Sequence, residues 1–246
     1  MNERMRAPQP EQNWEAGYHT LYERGTERFR GTYEKFYRAV YERAIMLVSE
    51  RIKDPLSKEK PHVLLCGTAS SETTRNFVHF IQGENNQSEI DVLDLNRQPL
   101  EASRAKLQTD ETIDSTKVRY TQGNALEMPF ADGSVDLLET DYFLQFFSPE
   151  DKQRLIKEWA RILSEDGAIT TREFLPDNAI SRTIDNMRRA IAKRGKIDTY
   201  KSSEEELIRL FQEAGLEVAV VPFKFGPLKS HILKHIIAYK KKLPKI

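Results

Sequence analysis

An aspartate closes the apolar run Ile90-Asp91-Val92-Leu93-Asp94-Leu95-Asn96, and a helical pattern, Pro99-Leu100-Glu101-Ala102-Ser103-Arg104, follows directly. A carboxylate at the carboxyl end of a buried strand can accept two hydrogen bonds from a ribose diol. Its other role would be to cap the helix that begins near Pro99. Upstream, His62-Val63-Leu64-Leu65-Cys66-Gly67 is a second apolar run. It continues as Thr68-Ala69-Ser70-Ser71-Glu72, a turn of small side chains that lets a backbone approach a ligand. Gly67 is the only residue there that tolerates positive φ freely, and Ser70 or Ser71 can cap the next helix. The G-x-G-x-x-G fingerprint of dinucleotide binding is absent. Asp94 lies 27 residues beyond Gly67, against roughly 20 in that pattern, and the Gly83-Glu84-Asn85-Asn86-Gln87 loop supplies the excess. The two runs together predict a nucleoside-containing cofactor held across the top of a parallel sheet.

Those residues need a scaffold. After Pro61 short apolar runs alternate with helical patterns, the signature of a doubly wound α/β fold. The predicted strands are 62–66, 89–94, 117–121, 135–139, 167–173, 216–224 and 232–240. The predicted helices lie near 71–82, 98–107, 149–163, 178–194 and 203–214. Gly226-Pro227 joins the last two strands with no room for a crossover helix, so they should be antiparallel neighbours. Before Pro61, residues 15–52 carry Phe29, Tyr33, Phe36, Tyr37, Val40, Tyr41 and Met46 at three- and four-residue steps, an apolar helical stripe. The expected division is a helical cap over 1–60 and a Rossmann-like domain over 61–246. A proline-bracketed polar linker, Asp54-Pro55 to Pro61, joins them.

The chain has 246 residues, with 38 Lys+Arg against 38 Asp+Glu, so it lacks the basic excess of a dedicated nucleic-acid binder. The Lys240-Lys241-Lys242 run reads as a solvated tail. The single cysteine, Cys66, excludes an internal disulfide, and a reducing cytoplasm is the expectation. Neither a signal core nor a stretch of about 20 apolar residues is evident. The expected partner is a small-molecule substrate, with no nucleic acid and no membrane, and the chain is expected to be a monomer or homodimer. No His/Cys/Asp/Glu cluster has metal-ligand spacing.

The segment Gly123-Asn124-Ala125-Leu126-Glu127-Met128-Pro129-Phe130-Ala131-Asp132-Gly133-Ser134-Val135-Asp136 resembles the stretch between strands three and four of the class I S-adenosylmethionine-dependent methyltransferases. Asp94 with the helix after it, residues 155–174 and residues 200–221 are similar to three further segments of that family, in the same order. The likeness covers about residues 61–246 and is nearest to the small-molecule subgroup that includes quinone-biosynthesis C-methyltransferases. It implies a seven-stranded Rossmann-like sheet, mostly parallel with the last strand antiparallel, with an N-terminal helical lid. It also implies S-adenosylmethionine as cofactor. Asp94 would then hold the adenosine ribose, Leu95 would pack on adenine, and Asn124 and Ala125 would meet the adenine edge. Cys66, Gly67 and Thr68 would lie against the methionine portion. Asp141 and Tyr142 would face the sulfonium and the acceptor as the catalytic pair. Two departures stand out. Leu65 replaces the acidic residue that binds the methionine ammonium, which would then need another partner, Asp141 or a residue of the N-terminal helices, and Ala69 and Ser71 replace glycines.

Methyl transfer relies on alignment and exclusion of water. Candidate acceptor-lining groups are Tyr18, Tyr22 and Tyr33 of the N-terminal segment, Glu173 and His231, although the tyrosine stripe also fits simple packing on the domain. A base for the acceptor could be His231, His235, Glu173 or His19, each histidine having a structural alternative. The expected activity is methyl transfer to O, N or C of a small molecule. The alternatives are a methyltransferase-like protein doing other chemistry, or a non-catalytic partner subunit.

Overall fold

The computed structural model describes residues 30–68, 70–194, 197–225 and 228–240. Strands β1 (His62–Cys66), β2 (Glu89–Asp94), β3 (Val118–Gln122), β4 (Val135–Asp141), β5 (Leu163–Phe174), β6 (Leu216–Phe225) and β7 (Leu228–Lys240) form one sheet in the order β3-β2-β1-β4-β5-β7-β6. The first five pair in parallel, while β7 runs antiparallel between β5 and β6. This is the predicted seven-stranded arrangement. The strands in mid-sheet are buried on both faces, which is why they read as near-continuous apolar runs.

Helices α1 (Arg30–Ser49), α2 (Ser71–Glu84), α3 (Arg97–Gln108), α4 (Pro149–Ile162), α5 (Ala179–Arg194) and α6 (Glu204–Glu213) cover the sheet. Their starts follow local chemistry. Ser70 caps α2 by accepting from Thr73 N, and Ser148 caps α4 ahead of Pro149. Ser203 and Glu206 form a reciprocal capping box at α6. Two apolar clusters result. One joins α1 and α2 to Val63, Leu65, Leu137, Ala168 and Ile237, and the other joins α4 and α6 to Leu64, Cys66, Leu138, Ile169 and Ile236. Because side chains alternate along a strand, consecutive residues feed opposite clusters.

Several bounds differ from the sequence reading: β7 begins at Leu228 rather than 232, and β4 runs on to Asp141 rather than 139. β5 starts at Leu163 rather than 167, because Val135 pairs with Leu163 before the register shifts to Leu137↔Ala168. The linker after Asp54 is also tied down. Asp54 caps a short 3-10 turn with buried Leu56, and Lys58 pairs with Asp136.

Leu138 is fully buried in central β4. Replacing it with Ala should cost about 2–5 kcal/mol, read as a lower urea midpoint. A loss below about 1 kcal/mol would show that this part of the core can collapse around the gap.

Candidate functional site

The chain runs outward from β1 to β2 and β3, then crosses to β4 and β5 on the other side. The order therefore reverses between β1 and β4, and a crevice opens there beyond the strand ends, where ligands bind in doubly wound folds. Cys66 pairs with Leu93, and Leu65 pairs with Glu139. Continuing those registers sets Gly67 level with Asp94 on one side and Asp141 on the other.

Gly67 takes φ +83°, and a Cβ there would stand 2.8 Å from the Phe143 ring, so the turn requires glycine for both reasons. Its N–H donates to Leu93 O at 2.8 Å. The half-buried Asp94 clamps the turn. Its Oδ2 accepts from Thr68 N at 2.8 Å and Thr68 Oγ1 at 3.0 Å, while Oδ1 accepts from Asn96 N at 2.9 Å. These bonds hold the loop in place of the two missing glycines. Leu95 stands exposed beside the aspartate at 47%. On β3's far end, Asn124 Oδ1 accepts from Leu126 N at 3.0 Å, which leaves its amide N–H groups for another partner, and Ala125 is buried. Cys66 is buried and its thiol is pushed up by burial, so it acts as a small apolar residue.

Across the crevice, Asp141 Oδ2 accepts from Arg172 Nη2 of β5. The Tyr37 hydroxyl of α1 bonds the same carboxyl group. Arg172 is 1% exposed, and its guanidinium lies 5.2 Å from the Tyr37 ring centre and 5.3 Å from that of Tyr142. Burial pushes the Asp141 carboxyl up to about 6 against the pull of Arg172. Glu139 and His235 extend this row, since Thr170 pairs with Glu139 and Arg172 pairs with His235. Glu139 accepts from the Thr170 hydroxyl, and burial raises its carboxyl. Among the described residues, Asp141 Oδ1, Arg172 Nε and Nη1, and His235 Nε2 are buried without a hydrogen-bond partner.

Tyr142 takes a left-handed backbone, φ 52°, at the end of β4. Conformations of this kind cost on the order of 1–3 kcal/mol and persist where the surroundings impose them. Here Tyr142 N donates to Arg172 O at 2.8 Å, and the ring stacks on Phe174 with centroids 4.6 Å apart. Burial raises its hydroxyl well above the ordinary tyrosine range.

The remaining candidates are spread out. Tyr33 sits half-buried on α1, stacked on Tyr37 at 6.0 Å. Glu173 is buried on the sheet face opposite Arg172, where it accepts from Leu144 N at 2.9 Å, and burial pushes its carboxyl up to about 8. His231 is exposed at the start of β7 and meets Asp177 Oδ1 at 2.9 Å. Tyr18, Tyr22 and His19 lie outside the described residues. Sequence reasoning missed Arg172, Glu139 and His235 as one row. The available signal was a charged residue inside each of two apolar strands, since buried charges need partners.

The model of the Methyltransferase domain family matches residues 66–171. An uncharacterized protein of Haemophilus influenzae is 26% identical over 127 residues, covering 51% of this chain and 48% of that protein. The chain thus spans about half the length of this curated relative. A demethylmenaquinone methyltransferase of Bacillus cereus is 25% identical over 200 residues, covering 74% of this chain and 80% of the relative. A crystal structure of a SAM-dependent methyltransferase from Methanosarcina mazei shares the fold. Its TM-score is 0.55 at 19% identity, and the match covers 74% of this chain and 93% of that one. Sheet order, switch-point crevice and matched segment are those of the class I S-adenosylmethionine-dependent methyltransferase fold. Residues 66–171 are matched by that Methyltransferase domain model, and the chain is distantly similar to the menaquinone methyltransferases.

The family implies S-adenosylmethionine, and the residues present fit it. The orphaned, buried Asp141 Oδ1 is an acceptor suited to an ammonium group, and it stands level with the Gly67 turn.

Burial, with Arg172 adding to it, pushes the His235 imidazole from its usual 6.5 down to about 3. The folded protein therefore holds it neutral while the unfolded chain protonates it. Its contribution is intact above pH 6.5 and shrinks as pH falls towards 3, by up to about 1.4 kcal/mol per unit. His235→Leu should accordingly lose less stability than the wild type between pH 6.5 and 4.5. Parallel urea curves across that range would contradict the assignment.

Proposed function

We propose that the protein transfers the methyl group of S-adenosylmethionine to O, N or C of a small-molecule acceptor. The observation that carries this reading is the row Asp94, Gly67 and Asp141 along the switch-point crevice, with a vacant carboxylate acceptor at one end. The cofactor, when bound, supplies an electrophilic methyl carbon on a sulfonium. Everything else falls to the chain's own residues. Asp94 accepts from the ribose diol at the end of β2, and Leu95 offers an apolar platform to the base. Asn124 and Ala125 meet its edge. Cys66, Gly67 and Thr68 bring backbone close to the methionine portion. Asp141 Oδ1 takes the ammonium that Leu65 cannot bind.

Tyr142 and Asp141 stand nearest the reacting end, where they orient the acceptor and keep water out. Tyr33 on α1 lines the acceptor side, whereas Glu173, buried on the opposite sheet face, and His231, exposed on β7, stand away from it. Residues 1–60 act as a lid over the binding domain of residues 61–246. A small-molecule acceptor is supported by the Bacillus cereus relative, which is a demethylmenaquinone methyltransferase. A cytoplasmic location is in keeping with one buried, unpaired cysteine. Among the described residues no helix is long and apolar enough to cross a membrane.

Calorimetric titration with S-adenosylmethionine or S-adenosylhomocysteine should show micromolar binding, about −8 kcal/mol. Asp94→Ala should weaken it by about 1.5–3 kcal/mol, as for hydrogen bonds to a charged group. Asp141→Asn should weaken both ligands as well, with melting curves confirming that each variant is folded. No binding by the wild type would favour the non-methylating alternatives. Unchanged affinity in Asp94→Ala would remove the ribose assignment.

A further inference from the structure

Helix α5 is amphipathic the wrong way round for a helix packed on a core. Its inward positions include Ser181 and Asp185, both buried. Ile180, Ile184, Met187 and Ile191 follow one another at steps of four, three and four residues, the spacing that ordinarily marks a core-facing stripe. Here they are 75%, 53%, 63% and 66% exposed.

Polar contacts fix this orientation. Ser181 N donates to Asn178 Oδ1 at 2.8 Å, and Asp185 pairs with Arg188 and Arg189. Arg188 Nη1 donates to Gln145 Oε1 at 2.7 Å, and its guanidinium lies 3.8 Å from the Phe174 ring centre. The helix cannot roll its isoleucines inward without breaking these bonds.

The charge on α5 is one-sided. Asp185 is its only acid and is buried, whereas Arg182, Lys193 and Arg194 are exposed. A second copy presenting the same face would set these cations against their equivalents. An anionic lipid surface complements both features, taking apolar side chains at the headgroup boundary and cations at its phosphates.

We propose that α5 docks the protein on an anionic bilayer surface, against the expectation of no membrane contact drawn from composition. Gln145 Nε2 also donates to Tyr142 O at 2.8 Å, so the docking helix is tied to the crest of β4.

The test is flotation of the full chain with vesicles of phosphatidylcholine alone or mixed with phosphatidylglycerol. The protein should float with the mixed vesicles only and be released at roughly 0.5 M salt. The double variant Ile184→Ser with Met187→Ser should bind at least tenfold more weakly at an unchanged melting temperature, because both side chains are exposed. No flotation, equal flotation with both vesicle types, or an unaffected variant would overturn the proposal. So would a dimer, seen by light scattering, that the variant splits, because the stripe would then belong to a second copy. Binding of S-adenosylhomocysteine by the same samples reports separately on the methyl-transfer reading.

Discussion

The ion pair between Asp141 and Arg172 governs what can exist at the crest of β4 and β5. Taking both charges out of water is expensive, and Coulomb attraction offsets that only where further partners are supplied. Here they come from α1. The Tyr37 hydroxyl bonds the carboxyl group, and the Phe36 and Tyr37 rings flank the guanidinium together with Tyr142. The helix ahead of the first strand is thus part of the electrostatics of the sheet. Without it, a bare ion pair would face solvent and its grip would fall toward that of a surface salt bridge. The same shielding leaves Asp141 Oδ1 unsatisfied, an unusual state for a buried acceptor that gives a cationic ligand reason to settle there.

On the other side of β1 the constraint is steric. Only Gly67 in the first turn takes a positive φ among the described residues there, and the loop is held by Asp94 through Thr68. A carboxylate that the sequence offers as a ligand group is therefore also a brace. The bonds described from it fix the orientation of the carboxylate at the strand end.

The seven strands were legible because strands buried on both faces have nowhere to hide a polar residue, and the strand-end aspartates stood out against that background. The charged row was not. Glu139, Arg172 and His235 lie far apart in sequence, and only the registers of β4, β5 and β7 bring them together. The backbone of Tyr142 was equally invisible, since nothing in a tyrosine announces a left-handed φ. Helix α5 shows the limit of periodicity as a signal. Its stripe marks a face, but which way that face points is decided by Asn178, Gln145 and Phe174, residues outside the helix.

The antiparallel strand β7 lies inside the sheet, between β5 and β6, although it follows both in the chain. On a ribosome the first five strands can assemble as they emerge, but β6 has no neighbour to join until β7 has been made. During that interval the outer edge of β5 presents a row of unsatisfied amides and carbonyls, a template for any passing strand. Completion of the sheet is thus a late, non-local event, and the growing protein depends on its final strand to close its own most adhesive border.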